Sequence, residues 1–186
     1  MEKKDLKPAG VFKYFEEICQ VPRPSKKEEK MIAYLKAFGA KHNLETKVDE
    51  AGNVLIKKPA TPGKENLQTV VLQSHIDMVC EKNNDVQHDF LTDPIETEID
   101  GEWLKAKGTT LGADNGIGVA TELAILADDS IEHGPLECLF TVDEETGLTG
   151  AFALKEGFMS GDILLNLDSE DEGEIFIGCA GGIDSV

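Results

Sequence analysis

The 186-residue sequence predicts an α/β fold, a layered and mostly parallel sheet flanked by helices. Three observations predict it. Apolar runs of strand length occur at 69–79 (TVVLQSHIDMV), 136–142 (LECLFTV) and 163–167 (ILLNL), and a helix-patterned stretch separates each from the next. The runs are continuous rather than alternating, as in strands covered on both faces. Hydrophobic residues reach 40% and fall in ordered blocks, which excludes a disordered chain.

The elements follow in order. Phe12, Phe15, Ile18 and Cys19 keep helical spacing behind Pro8, and Pro22 and Pro24 end that helix. Ser25-Lys-Lys-Glu28 reads as a capping box for a second helix, which runs to about His42 with Met31, Ile32, Leu35 and Phe38 on one stripe. Thr46, Val48, a Gly52-Asn53 turn and Val54–Ile56 form a hairpin pattern. Residues 59–66 and 81–94 are loops by composition. Ile95–Ala106 contains Asp100-Gly101 between two short runs, a hairpin signature. Gly116–Asp128 is expected to be a helix and Leu148–Leu154 a short one. Ile163–Leu167 is expected to be a third buried strand, and Glu174–Ile177 a fourth.

The formal net charge of −18 argues against nucleic acid and anionic membrane surfaces as partners. No run approaches the roughly 18 apolar residues of a membrane span, and MEKKDLKPAG has no apolar core behind its lysines, so a cytoplasmic protein is expected. Cys19, Cys80, Cys138 and Cys179 form no C-x-x-C pair and read as buried free thiols.

Ligands of open α/β sheets bind at the carboxyl ends of the strands. The first apolar run ends in His75-Ile-Asp77, the second in Asp143-Glu144-Glu145 and the third in Asp168, while Asp114 stands just before a helix. His75 and Asp77 leave one face of a strand, so the histidine can bind a metal while the aspartate takes its other N–H. Asp114, Glu145 and Asp168 supply oxygen ligands, and acids packed so closely need a cation. A mixed nitrogen and oxygen set suits zinc, with cobalt or manganese as alternatives, better than calcium. Two metals about 3.5–4 Å apart with a bridging water are the expected hydrolytic arrangement, and Glu144, beside a ligand, is placed to act as its general base. Competing readings fail on spacing. A calcium loop starting at Asp168 would need glutamate where Cys179 stands, a dinucleotide fingerprint would need glycine at Thr121, and no G-K-[ST] phosphate loop exists.

SHIDMV (74–79), GTTLGADNGIGVA (108–120), DEETGLTGA (143–151) and LDSED (167–171) resemble the dinuclear zinc aminopeptidase and aminoacylase superfamily, and within it the dipeptidase branch. The resemblance runs from the first helix to the last strand. It implies metal-dependent hydrolysis of dipeptides, notably those with histidine second. It assigns His75 and Asp168 to one metal, Glu145 to the other, Asp114 as the bridge between them, Asp77 as the orienting group and Glu144 as the base. It also implies a cis peptide bond between Asp114 and Asn115.

Members of the superfamily are longer, with a lid domain and a later segment that supplies a last histidine ligand. Residues 1–186 therefore read as the N-terminal part of a catalytic domain that continues beyond them. His42, His88 and His133 match no ligand of the superfamily. A fragment of an active dipeptidase, an inactive metal-binding relic and a related deacylase or tripeptidase all stay open on the sequence. A sheet cut short exposes its edges, so a homodimer or aggregate is expected.

Overall fold

The computed structural model describes residues 2–169 and 173–178. A 3-10 turn at Lys3–Asp5 leads into helix α1 (Ala9–Cys19), which starts directly behind Pro8. Helix α2 (Glu29–Lys41) stops at His42 and buries Met31, Leu35 and Phe38, the stripe expected from spacing. Strands β1 (Glu45–Val48) and β2 (Val54–Lys58) pair antiparallel. Asp49 Oδ1 closes their turn by accepting the N–H groups of Ala51, Gly52 and Asn53. Then come β3 (Val70–His75), the hairpin β4 (Thr97–Asp100) and β5 (Trp103–Ala106), helix α3 (Ala113–Ala127), β6 (Leu136–Thr141), α4 (Thr149–Ala153) and β7 (Ile163–Asn166).

The main sheet is mixed, in the order β1-β2-β6-β3-β7. β2 runs antiparallel to β6, while β3 runs parallel to β6 on one side and β7 on the other. The register sets Leu72 beside Cys138 and His75 beside Thr141, so β3 and β6 end at one edge. β7 ends beside Gln73, and its following loop leaves at the same edge.

Period-two alternation sorts the strand side chains between two faces. Val54, Ile56, Leu72, Cys138 and Phe140 point into the main core with Phe15, Ile18, Met31, Leu35 and Leu123 of the helices. Leu55, Val71 and Leu139 point the other way, under Leu154, Phe158 and Met159. The far end of α3 is held by a cation: Lys58 Nζ donates to the carbonyls of Ile125 and Asp128 at 3.2 and 2.8 Å.

Three sequence expectations need correction. Ser25 and Glu28 do not form a capping box, since α2 has no side-chain cap and both side chains bond elsewhere. Among the described residues β7 is an edge strand rather than a buried one: Ile163, Leu164 and Leu165 are 40–48% exposed because only β3 flanks it there. Residues 174–177 form no strand, and Ile175, Phe176 and Ile177 are exposed. Cys19 and Cys138 are buried and Cys80 half-buried, all as free thiols, while Cys179 lies outside the described residues. Among the described residues no helix is long and apolar enough to cross a membrane.

Candidate metal centre

His75 is the last residue of β3 and is 1% exposed. Its Nε2 lies 3.1 Å from Asp114 Oδ1, 3.8 Å from Asp168 Oδ1 and 3.9 Å from Glu144 Oε2. The ligand-type atoms of His75, Asp114 and Asp168 all fall within 4.8 Å of one another, and so do those of His75, Glu144 and Glu145. The structure thus gathers Asp114, Glu144, Glu145 and Asp168 near the His75 imidazole, while Asp77 meets its other nitrogen and Asp143 turns inward. The remaining histidines lie elsewhere: His42 packs on Phe38, His88 on Phe90, and His133 meets the carbonyl of Gly134.

Three segments deliver these groups. Asp114 projects from the first turn of α3, where φ −81° and ψ 116° depart from helix. The Asp114–Asn115 peptide bond is cis. Glu144 and Glu145 sit on the loop after β6. That loop is braced from within, because Asp143 accepts hydrogen bonds from the hydroxyls of Thr146 and Thr149. Asn53, fully buried on the β1–β2 turn, ties it down: its Nδ2 donates to the Gly150 carbonyl at 2.8 Å and its Oδ1 accepts Val142 N–H at 3.1 Å. Asp168 follows β7 by two residues.

Asp77 stands behind His75, with Oδ1 3.3 Å from Nδ1 and its own carbonyl 3.1 Å from the same nitrogen. Its carboxylate also accepts the N–H groups of Glu144 and Glu145 and the hydroxyl of Ser25. Asp77 therefore positions both the imidazole and the acidic loop. Sequence reasoning missed Ser25, Glu28 and Asn53 as supports. Glu28 Oε1 accepts Asp143 N–H at 3.0 Å, from a position 115 residues earlier in the chain. The only local signal was the S-x-x-E pattern, which pointed to a helix cap instead.

The electrostatics follow from this crowding. Burial pulls the His75 imidazole down, but the Asp77 hydrogen bond and the charges of Asp168, Asp77 and Asp114 outweigh it and lift the pKa to about 9. Burial pushes Asp77 up, but its bonds to His75, Glu144 N–H and Ser25 hold it at about 2. Glu144, Glu145 and Asp168 are all raised, first by burial and then by neighbouring acids, with His75 opposing. The site holds more negative charge than its one imidazole neutralises. One nitrogen and several carboxylate oxygens converging in this way fit a divalent cation. A cleft of about 720 Å³ opens over them, lined by Asp114, Glu144, Glu145 and Asp168 with Ile117 and Leu167.

An α/β sheet with a histidine-and-carboxylate cluster at its strand ends is a layout suited to a hydrolase, and the comparisons give a peptidase family. Residues 71–180 match peptidase family M20/M25/M40, and the chain belongs to that family. It is 54% identical over 183 residues to the cytosol non-specific dipeptidase of Escherichia coli, a match covering 98% of this chain and 38% of that protein. Among solved structures, the aminoacylhistidine dipeptidase of Vibrio alginolyticus superposes with a TM-score of 0.93 at 56% identity, over 96% of this chain and 36% of that one. The aminopeptidase PepT of Bacillus cereus superposes with a TM-score of 0.74 at 26% identity, over 87% of this chain and 43% of that one. The chain thus spans less than half the length of each of these relatives.

Proposed function

We propose that this chain is the N-terminal part of the catalytic domain of a cytosolic dipeptidase that hydrolyses Xaa-His and related dipeptides with two divalent metal ions, zinc foremost. The observation that carries the reading is the convergence of Asp114, Glu144 and Asp168 on His75 Nε2, within 3.1 to 3.9 Å. The high identity to two dipeptidases supports the substrate class.

His75, Asp114, Glu145 and Asp168 would hold the metal ions. When bound, such ions supply Lewis acidity and make water a competent nucleophile near neutral pH. The protein's own contribution is positional. Asp77 holds the Nδ1 side of His75, which leaves Nε2 free to face the cleft. Glu144, half-buried and unpaired with any lysine or arginine among the described residues, accepts a proton from the attacking water as the new C–O bond forms. It returns that proton to the amine nitrogen as the C–N bond breaks. Backbone bonds to Asp77 keep Glu144 at the cleft wall.

The test is hydrolysis of an aminoacyl-histidine dipeptide against an N-acyl amino acid and a tripeptide, with Zn²⁺ added and with it chelated. The expected result is Zn²⁺-dependent cleavage of the dipeptide in preference to the other two. Preference for the tripeptide or the N-acyl substrate would replace the substrate class, and cleavage indifferent to chelation would remove the metal.

A further inference from the structure

Arg23, between α1 and α2, is 2% exposed and meets no carboxylate oxygen at ion-pair distance among the described residues. A buried cation without a salt bridge is costly unless its donors are otherwise satisfied. Its partners are three backbone carbonyls from two segments. Nη1 donates to Ile76 at 3.1 Å and to Asp77 at 3.2 Å, and Nη2 donates to Gly112 at 2.6 Å. The first two carbonyls belong to the turn directly after His75. The third lies two residues before Asp114. The Asp77 carbonyl that Arg23 holds is also the one 3.1 Å from His75 Nδ1. The main chain adds to the tie, since Met78 N–H donates to the Arg23 carbonyl at 3.2 Å.

The sequence around Asp114 leaves room for this guanidinium. A Cβ at Gly112 would stand 2.5 Å from Arg23 Nη2, and one at Gly116 2.7 Å from the same nitrogen. Gly112 also adopts φ +67°, a region that favours glycine. Both glycines of GADNG thus face a side chain some ninety residues earlier, with Met78 also against Gly112 and Phe15 and Ile18 against Gly116. A lysine could not replace the fork, because its donors spread from one point whereas the guanidinium offers separate N–H groups in a fixed plane.

We propose that Arg23 is a positioning residue for the metal centre: its guanidinium ties the turn after β3 to the start of α3 and so sets His75 and Asp114 at the separation a cation needs. The inference rests on the metal reading above, but it concerns a residue outside the ligand set.

The experiment is titration of the wild-type protein and the Arg23→Met, Arg23→Lys and Gly116→Ala variants with Co²⁺. The readouts are visible absorption and, separately, the unfolding midpoint of each protein without metal. Loss of a group that supports metal ligands costs on the order of 10–100-fold in affinity, and that weakening with an altered Co²⁺ band is expected in Arg23→Met and Arg23→Lys. Gly116→Ala, which leaves Arg23 in place but crowds it, is expected to shift the band the same way. A folded Arg23→Met protein with wild-type Co²⁺ affinity and spectrum overturns the proposal, whatever its unfolding midpoint. Full rescue by Arg23→Lys overturns the two-segment tie. Should Arg23→Met not fold, Arg23→Lys and Gly116→Ala decide on the same readouts. A wild-type protein that takes up no Co²⁺ overturns the metal reading and this inference with it.

Discussion

The hydroxyl of Ser25 donates a 2.7 Å hydrogen bond to Oδ2 of Asp77, a carboxylate fully buried behind His75. That bond, with the N–H groups of Glu144 and Glu145, fills the acceptor sites that His75 leaves. Asp77→Ala would leave the imidazole Nδ1 only the main-chain carbonyl at position 77 and would strand two backbone donors. Breaking a buried charged pair of this kind costs about 3–5 kcal/mol, and zinc affinity should fall with it. Ser25→Ala removes one of several donors and should cost only about 1 kcal/mol. Urea unfolding and zinc titration of both variants check the ranking. A Ser25→Ala loss as large as that of Asp77→Ala would refute it.

Lys58 makes a second long-range tie. Its ammonium caps α3 by bonding the carbonyls of Ile125 and Asp128, where the helix dipole is negative. It also lies 3.5 Å from Asp129, a residue with a 97% exposed side chain. Lys58 is itself buried, and hydrogen bonds from such a charged donor contribute about 1.5–3 kcal/mol, whereas an exposed ion pair contributes about 0–1 kcal/mol. Lys58→Met should therefore destabilise by a few kcal/mol in urea and Asp129→Ala by almost nothing. Equal losses would mean that the ion pair, not the cap, is what matters.

The strands and the acids at their ends were legible because both signals are local. An apolar run followed at once by HID, DEE or D states the strand and its exit together. The supports were not legible because their partners are distant. Glu28 satisfies the backbone of Asp143, 115 residues away, and Ser25 that of a carboxylate 52 away, so the same S-x-x-E letters misread as a cap. Burial of Ile163–Leu165 was overestimated for a related reason: an apolar run reports that a strand can be covered, while coverage depends on neighbours, and among the described residues β7 has only β3. Glu174–Ile177 has the letters of a strand and no partner to pair with among the described residues.

Glu122 gives the fold a pH dependence. It is fully buried under Ser74, whose hydroxyl donates to Oε1 at 2.7 Å. Burial lifts its pKa from 4.5 to about 8, with the Ser74 and Cys138 hydrogen bonds opposing. Below pH 4.5 the carboxyl is neutral in both folded and unfolded chains. Between 4.5 and about 8 the unfolded chain has released a proton that the folded one keeps, so stability falls as pH rises, by at most about 1.4 kcal/mol per pH unit. Above that window the dependence levels off. Glu122→Gln cannot titrate, so its stability relative to wild type should climb between pH 5 and pH 8. Urea midpoints that differ by the same amount at both pH values would show that Glu122 folds in its charged form.

Glu144→Gln separates proton transfer from metal retention. The substitution keeps the size of the side chain and leaves the Glu144 N–H bond to Asp77 intact, so the loop should hold its place. It also leaves His75, Asp114, Glu145 and Asp168 untouched, so zinc content should stay at the wild-type level. On the proposed mechanism it removes the group that accepts the water's proton, and general-base catalysis contributes about 10²–10⁴-fold in rate. Turnover of an aminoacyl-histidine dipeptide should drop by that factor in kcat while KM changes little. Parallel metal analysis makes the outcome decisive. Loss of both zinc and turnover would make Glu144 a ligand, and survival of both would move the base to another residue.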